Sequence, residues 1–94
     1  MILDDGTLVN LENVAECIKQ NGERHLIEHG GSPDDPYHIK FKQAIDYIVN
    51  CIETRQTIPM NLRTFALKVV YNRREKYTIK QMAKILNSIG TIKC

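Results

Sequence analysis

The amino-acid sequence predicts a mostly α protein: a small single domain over residues 1–94 with four to five helices, and with room for a short amino-terminal β-hairpin. Three observations carry that expectation. Apolar residues recur at three- and four-residue steps along most of the chain, the spacing of one face of an α-helix. Residues suited to starting and stopping helices bracket each apolar stripe. The third is size: 94 residues, 43% of them hydrophobic, can bury a core without disulfide staples.

At the amino terminus, Ile2 and Leu3, then Leu8 and Val9, flank Asp4-Asp5-Gly6-Thr7. Asp-Gly between short apolar runs is a hairpin signal. A lone two-stranded hairpin is marginal in water, so this one is expected to lean on the helices or to pair with residues 91–93. Asn10 then suits the cap of a first helix over 11–20, with Leu11, Val14, Ala15 and Ile18 inward. Gly22 suits the left-handed residue that ends many helices. On this reading Glu12 and Lys19 each sit at the end of the helix dipole that favours its charge. A short helix over 23–29 follows, with Leu26 and Ile27 inward. Gly30 and Gly31 stop it, and the run from Gly30 to Pro36 is a loop by composition.

The strongest helix signal lies in residues 35–54, expected to form the central helix. Asp35 can cap it, because its carboxylate accepts bonds from the otherwise unpaired amides of the first turn. Pro36 fits the first helical position, where a missing N–H is no loss. Tyr37, Phe41, Ala44, Ile45, Ile48, Cys51 and Ile52 make the apolar stripe, while Ile39, Tyr47 and Val49 fall outside it. Burying a side chain such as Ile48 is worth roughly 1.5–3 kcal/mol, so this stripe supplies much of the core. The helix is expected to end near Thr57, since Pro59 excludes Ile58 from helical backbone.

Asn61 is the expected cap of the next helix, over 62–72, with Leu62, Phe65, Ala66, Val69 and Val70 inward and Arg63, Thr64 and Lys68 outward. Residues 72–76 read as a charged turn. Thr78 then caps a last helix over 79–89, with Ile79, Met82, Ala83 and Leu86 inward, Ile85 off the stripe, and Gly90 as the stop. The central helix is the expected platform for these two basic helices.

Formal net charge is only +2, but it is unevenly placed. Residues 1–35 hold eight acids and two bases, a net −6, while residues 36–94 hold eleven bases and three acids, a net +8. Such asymmetry suggests nucleic-acid contact through the basic part, or else an acidic segment folded across it. Head-to-tail self-association into a homodimer is a third way to satisfy it. The cysteines Cys17, Cys51 and Cys94 are odd in number and lack C-x-x-C spacing. They suit a reducing, cytoplasmic setting better than a disulfide framework or a zinc ribbon. No apolar run approaches the ~20 residues of a membrane span, so no membrane role is expected.

Four constellations in the sequence could carry chemistry. The first is the last two helices and their turn. Lys80, Gln81, Lys84, Asn87 and Ser88 share the outer face of the last helix, with Arg73, Arg74 and Lys76 in the turn and Arg63 and Lys68 before it. Lys, Gln and Asn suit base edges and phosphates. The layout resembles a helix-turn-helix, except that the connection is longer than the usual 3–4 residues and holds no glycine. The second is the segment from His25 to His38, where His25, His29, Glu28, Asp34, Asp35 and His38 offer imidazole and carboxylate groups for a metal or for acid–base work. It matches no H-E-x-x-H pattern, and Asp35 already has a capping role. The third, Gly30-Gly31-Ser32 as a phosphate cradle, lacks the P-loop lysine and spacing. The fourth is a protein-docking surface drawn from Tyr37, Tyr47, Tyr71, Tyr77, Ile39 and Ile85.

The leading expectation is a small non-enzymatic protein that binds nucleic acid through Arg63, Lys68, Arg73, Arg74, Lys76, Lys80, Gln81, Lys84 and Asn87. The alternative is an adaptor or inhibitor docking on a larger machine, with an acidic protein surface as partner. A metal-dependent enzyme using the His25–His38 segment comes third. The sequence assigns no catalytic residue, no metal ligand and no cofactor.

Overall fold

The computed structural model describes residues 2–70 and 77–89. Four helices occupy them: α1 (Leu11–His29), α2 (Pro36–Thr54), α3 (Met60–Val70) and α4 (Ile79–Ser88). The mostly α expectation holds, at the four-helix end of the range. No helix among the described residues is long and apolar enough to cross a membrane.

The first correction concerns α1. Residues 11–20 and 23–29 form one continuous helix, and Gly22 lies buried in its interior instead of ending it. Lys19 therefore sits mid-helix, away from the negative end of the dipole. The reason for a glycine here is tertiary. Gly22 faces α2, and a Cβ at this position would stand 3.0 Å from Ile45 Cγ1. The missing side chain lets the two long helices approach, which outweighs the roughly 1 kcal/mol that glycine costs a helix interior relative to alanine. Asn21, also buried, donates from Nδ2 to the Cys17 carbonyl one turn back, so its amide is not left bare. The expected cap at Asn10 is present, its side chain accepting from Glu12 N at 2.9 Å. Gly30, with φ 76°, closes the helix by donating to Leu26 O.

α2 is the expected central helix, capped by Asp35, whose carboxylate accepts from Tyr37 N at 2.9 Å, with Pro36 in the first turn. Phe41, Ile45, Ile48, Cys51 and Ile52 are buried as the stripe requires; Val49 joins them, while Tyr37 stays partly exposed. The helix ends at Thr54, three residues before the expected stop. Arg55 takes a left-handed backbone conformation with φ 61°, and its side chain donates from Nη1 to Ile52 O at 2.6 Å. That bond occupies one of the carbonyls a helix end leaves open. Ile58 is fully buried and anchors the connection to α3.

α3 starts earlier than expected, at Met60. Leu62 N and Arg63 N both donate to Pro59 O, so Pro59 opens the helix and Asn61 lies inside it. The expected cap at Asn61 is thus displaced by the Pro59 carbonyl two residues earlier, next to the buried Ile58. Its far end runs to Val70, and the expected extension to 72 lies outside the described residues. α4 begins as expected, with a reciprocal cap: Gln81 N donates to Thr78 Oγ1 and Thr78 N donates to Gln81 Oε1. Its inward face is rotated from the expectation. Ile85 is fully buried, whereas Ile79 is 39% exposed.

The platform is also corrected. α3 touches α1, α2 and α4, whereas α4 touches α3 alone among the helices. α4 is therefore an edge helix, with α3 on one side. The amino-terminal segment reaches it from elsewhere. An isolated antiparallel bridge joins Ile2 and Leu8, and Leu3 N donates to Thr7 O across the Asp4-Asp5-Gly6 tip. The expected hairpin is thus a single closed turn, with no strand among the described residues. The proposed pairing with residues 91–93 lies outside them. Leu3 and Val9 drop into the core and fix the turn in place.

Candidate nucleic-acid interface

α3 and α4 lie side by side, and Arg63 Nη1 donates to Asn87 Oδ1 at 2.8 Å between them. On α4, Lys80, Lys84 and Asn87 follow at steps of four and three, so they share one line on the helix surface. All three are exposed. The two helices carry Arg63, Lys68, Lys80 and Lys84 and contain no aspartate or glutamate. Charge on these helices is uniformly positive.

Not every predicted contact residue joins this line. Lys68 is exposed but lies five residues beyond Arg63, roughly 140° around the helix, and belongs to another face. Arg63 is half-buried, with its Nε enclosed and without a hydrogen-bond partner among the described residues. Gln81 is occupied rather than available. Its Nε2 donates to Asp5 Oδ2 at 3.0 Å and to Thr7 Oγ1 at 3.2 Å, and its Oε1 serves the helix cap. Lys84 Nζ stands 3.9 Å from Asp4 Oδ2, a loose pair in which the Lys84 side chain remains 55% exposed. Arg73, Arg74 and Lys76 lie outside the described residues.

The acids of the amino-terminal turn are neighbours of α4 that its own pattern does not reveal. The charge asymmetry raised the option of an acidic segment covering the basic part, and Asp4 and Asp5 do so locally. The Asp5 carboxyl is held down at about 2 by the Thr7 side chain, by Gln81 and by the Thr7 backbone N–H, in that order. It therefore stays ionised through the neutral range. Tyr77, read as a surface anchor, is buried instead. Its hydroxyl accepts from Asn10 N at 3.4 Å, tying the start of α4 to the start of α1.

The histidine segment has a structural arrangement. His25 stacks on Phe41 with ring centroids 4.7 Å apart, and its Nε2 shares a hydrogen bond with Tyr37 Oη at 2.9 Å. His29 stacks on Tyr37 at 4.2 Å. The His38 ring meets Gly30 O at 2.6 Å. These contacts bind the end of α1 to the start of α2. No group of three or more His, Cys, Asp or Glu among the described residues is arranged to hold a metal. Gly30, Gly31 and Ser32 form the turn between the two helices, with Asp35 N donating to Ser32 O.

The docking candidates separate. Ile39 and Tyr47 are open, at 46% and 51% exposure, and Ile27, expected inward, is 79% exposed. Ile27 borders a groove of about 420 Å³ between α1 and α2, lined also by Leu26, Phe41 and Ile45, with Lys42 and Asp46 on its rim.

The whole chain, residues 1–94, matches the model of one family, described as Domain of unknown function (DUF7367). The chain belongs to that family. Nothing among the curated proteins or the solved structures matches it. For this DUF7367 chain, fold and surface chemistry carry the functional reading.

Proposed function

We propose that this DUF7367 chain is a small non-enzymatic protein that binds nucleic acid through the outer edge of α4, in a reducing, cytoplasmic setting. The observation that carries the reading is the charge of the α3–α4 pair: four basic residues, no acidic ones, and an exposed Lys80–Lys84–Asn87 line bonded to Arg63. Lys80 and Lys84 hold phosphates. Asn87 either keeps Arg63 in place or turns to a base edge. Arg73, Arg74 and Lys76 precede α4 in sequence and extend the contact. The test is anisotropy binding to duplex and single-stranded oligonucleotides at two salt concentrations, with the Lys80→Ala/Lys84→Ala variant alongside. Tight binding that weakens steeply with salt, and weakens further in the variant, supports the reading, because each phosphate contact releases counterions. Absence of binding at low salt rejects it.

A protein partner is the second reading, favoured by the α1–α2 groove. Its exposed Ile27 and its Lys42–Asp46 rim fit an amphipathic segment that presents an apolar side chain with an acid and a base one turn apart. An Ile27→Asp variant that no longer retains a partner identified with the wild type places that partner in the groove.

A further inference from the structure

The amino-terminal turn sits where a ligand of α4 would sit. Asp5 Oδ2 accepts from Gln81 Nε2 at 3.0 Å, and Asp4 Oδ2 approaches Lys84 Nζ at 3.9 Å. Gln81 and Lys84 are two of the four side chains on α4 that sequence chemistry assigns to a nucleic acid. The acids that meet them lie at the tip of a turn whose two flanks are buried, through Leu3 and Val9. The turn is closed by Gly6 N donating to Leu3 O and Leu3 N donating to Thr7 O. Thr7 N also donates to Asp5 Oδ1 at 2.9 Å, which fixes the carboxylate's direction. The acids are therefore held in place by packing and are not carried on a loose tail.

We propose that Asp4 and Asp5 form a built-in polyanion mimic that competes with phosphates for Gln81 and Lys84 and restrains binding at α4. This rests on the nucleic-acid reading above. A carboxylate accepts the same N–H and ammonium donors as a phosphate oxygen, so the mimic and the ligand exclude one another at Gln81. At Lys84 the competition is electrostatic, since the pair is loose and solvated. The acids also place negative charge beside the path of an approaching phosphate backbone, and like charges repel. A ligand that binds must either tolerate this or displace the tip. The design keeps a basic edge helix from binding every polyanion it meets, and it reserves the surface for partners with enough other contacts. Lys80 and Asn87 have no such partner in the turn among the described residues, and they define the part of α4 that stays open.

The experiment compares wild type, Asp4→Asn, Asp5→Asn and the double variant in oligonucleotide binding at two salt concentrations. Asp4 is 94% exposed and its one ion pair among the described residues is loose, so Asp4→Asn leaves folding intact and serves if Asp5→Asn disturbs the turn. Circular dichroism melts confirm folding of each. The expected result is tighter binding, by roughly three- to tenfold in the double variant at low salt, with a salt slope steeper by about one counterion. The gain disappears when Lys84→Ala is added. Wild-type binding with no gain in any folded variant overturns the mimic and leaves the nucleic-acid reading standing. No binding by wild type or variants overturns both.

Discussion

Gly22 of α1 lies directly against Ile45 of α2: a Cβ added to the glycine would meet Ile45 Cγ1 at 3.0 Å and Cδ1 at 3.1 Å. The relationship explains how two long helices pack closely in a chain this small. Gly22→Leu is expected to destabilise by about 1–3 kcal/mol or more, because extra carbons must push Ile45 out of a well-packed site. Gly22→Ala is expected to lie within about 1 kcal/mol of wild type, the helix-propensity gain opposing the contact. Urea unfolding measures both. A Gly22→Leu protein as stable as wild type would mean the crossing is loose.

The rotation of α4 makes a second expectation. Ile85 is fully buried, and Ile85→Ala should cost about 2–5 kcal/mol through lost burial and a residual cavity. Ile79 is 39% exposed, and Ile79→Ala should cost less than about 1 kcal/mol. The apolar pattern read by itself ranks the two the other way. Denaturation midpoints of the two variants therefore decide between the face inferred from spacing and the face observed.

The reciprocal cap of α4 also has a measurable weight. Thr78→Ala removes the acceptor for Gln81 N and should destabilise by about 1 kcal/mol. Thr78→Asp retains an acceptor and should stay close to wild type. Gln81→Ala should cost more than the cap alone, because it also removes the bonds to Asp5 and Thr7. Equal losses for Thr78→Ala and Gln81→Ala would show that the link to the turn contributes nothing.

Acid should act on the amino-terminal turn in a defined window. The Asp5 carboxyl is depressed from 3.8 in its ordinary state to about 2 in the fold. A depressed carboxylate stabilises the fold above its unfolded pKa, and this contribution is lost as pH falls through the folded value. The stability difference between wild type and Asp5→Asn should thus be constant above about pH 4 and shrink between pH 4 and 2. Thermal melts across that range test it. A difference that stays constant down to pH 2 would show that the ionised Asp5 carboxylate does not stabilise the fold.

Much of the fold was legible because its signals are local. Asp35, Asn10 and Thr78 cap with their own side chains, so three helix starts follow from residue type alone. The stripes of α1 and α2 follow from 3.6-residue periodicity, and the uneven charge follows from counting. The basic line on α4 was visible for the same reason, since Lys80, Lys84 and Asn87 are neighbours along one helix.

What only the tertiary structure decided depends on contacts distant in sequence. Gly22 has the chemistry of a helix stop, and only the arrival of Ile45 makes it an interior close contact. Ile79 and Ile85 are equally apolar, and only the position of α3 and the core decides which is buried. Gln81 looked available on an exposed face, yet Asp5, 76 residues away along the chain, takes its donors. Caps, periodicity and charge are properties of a short window of sequence. The neighbour that a residue meets across the fold is a property of how the windows pack, and the sequence by itself leaves that open.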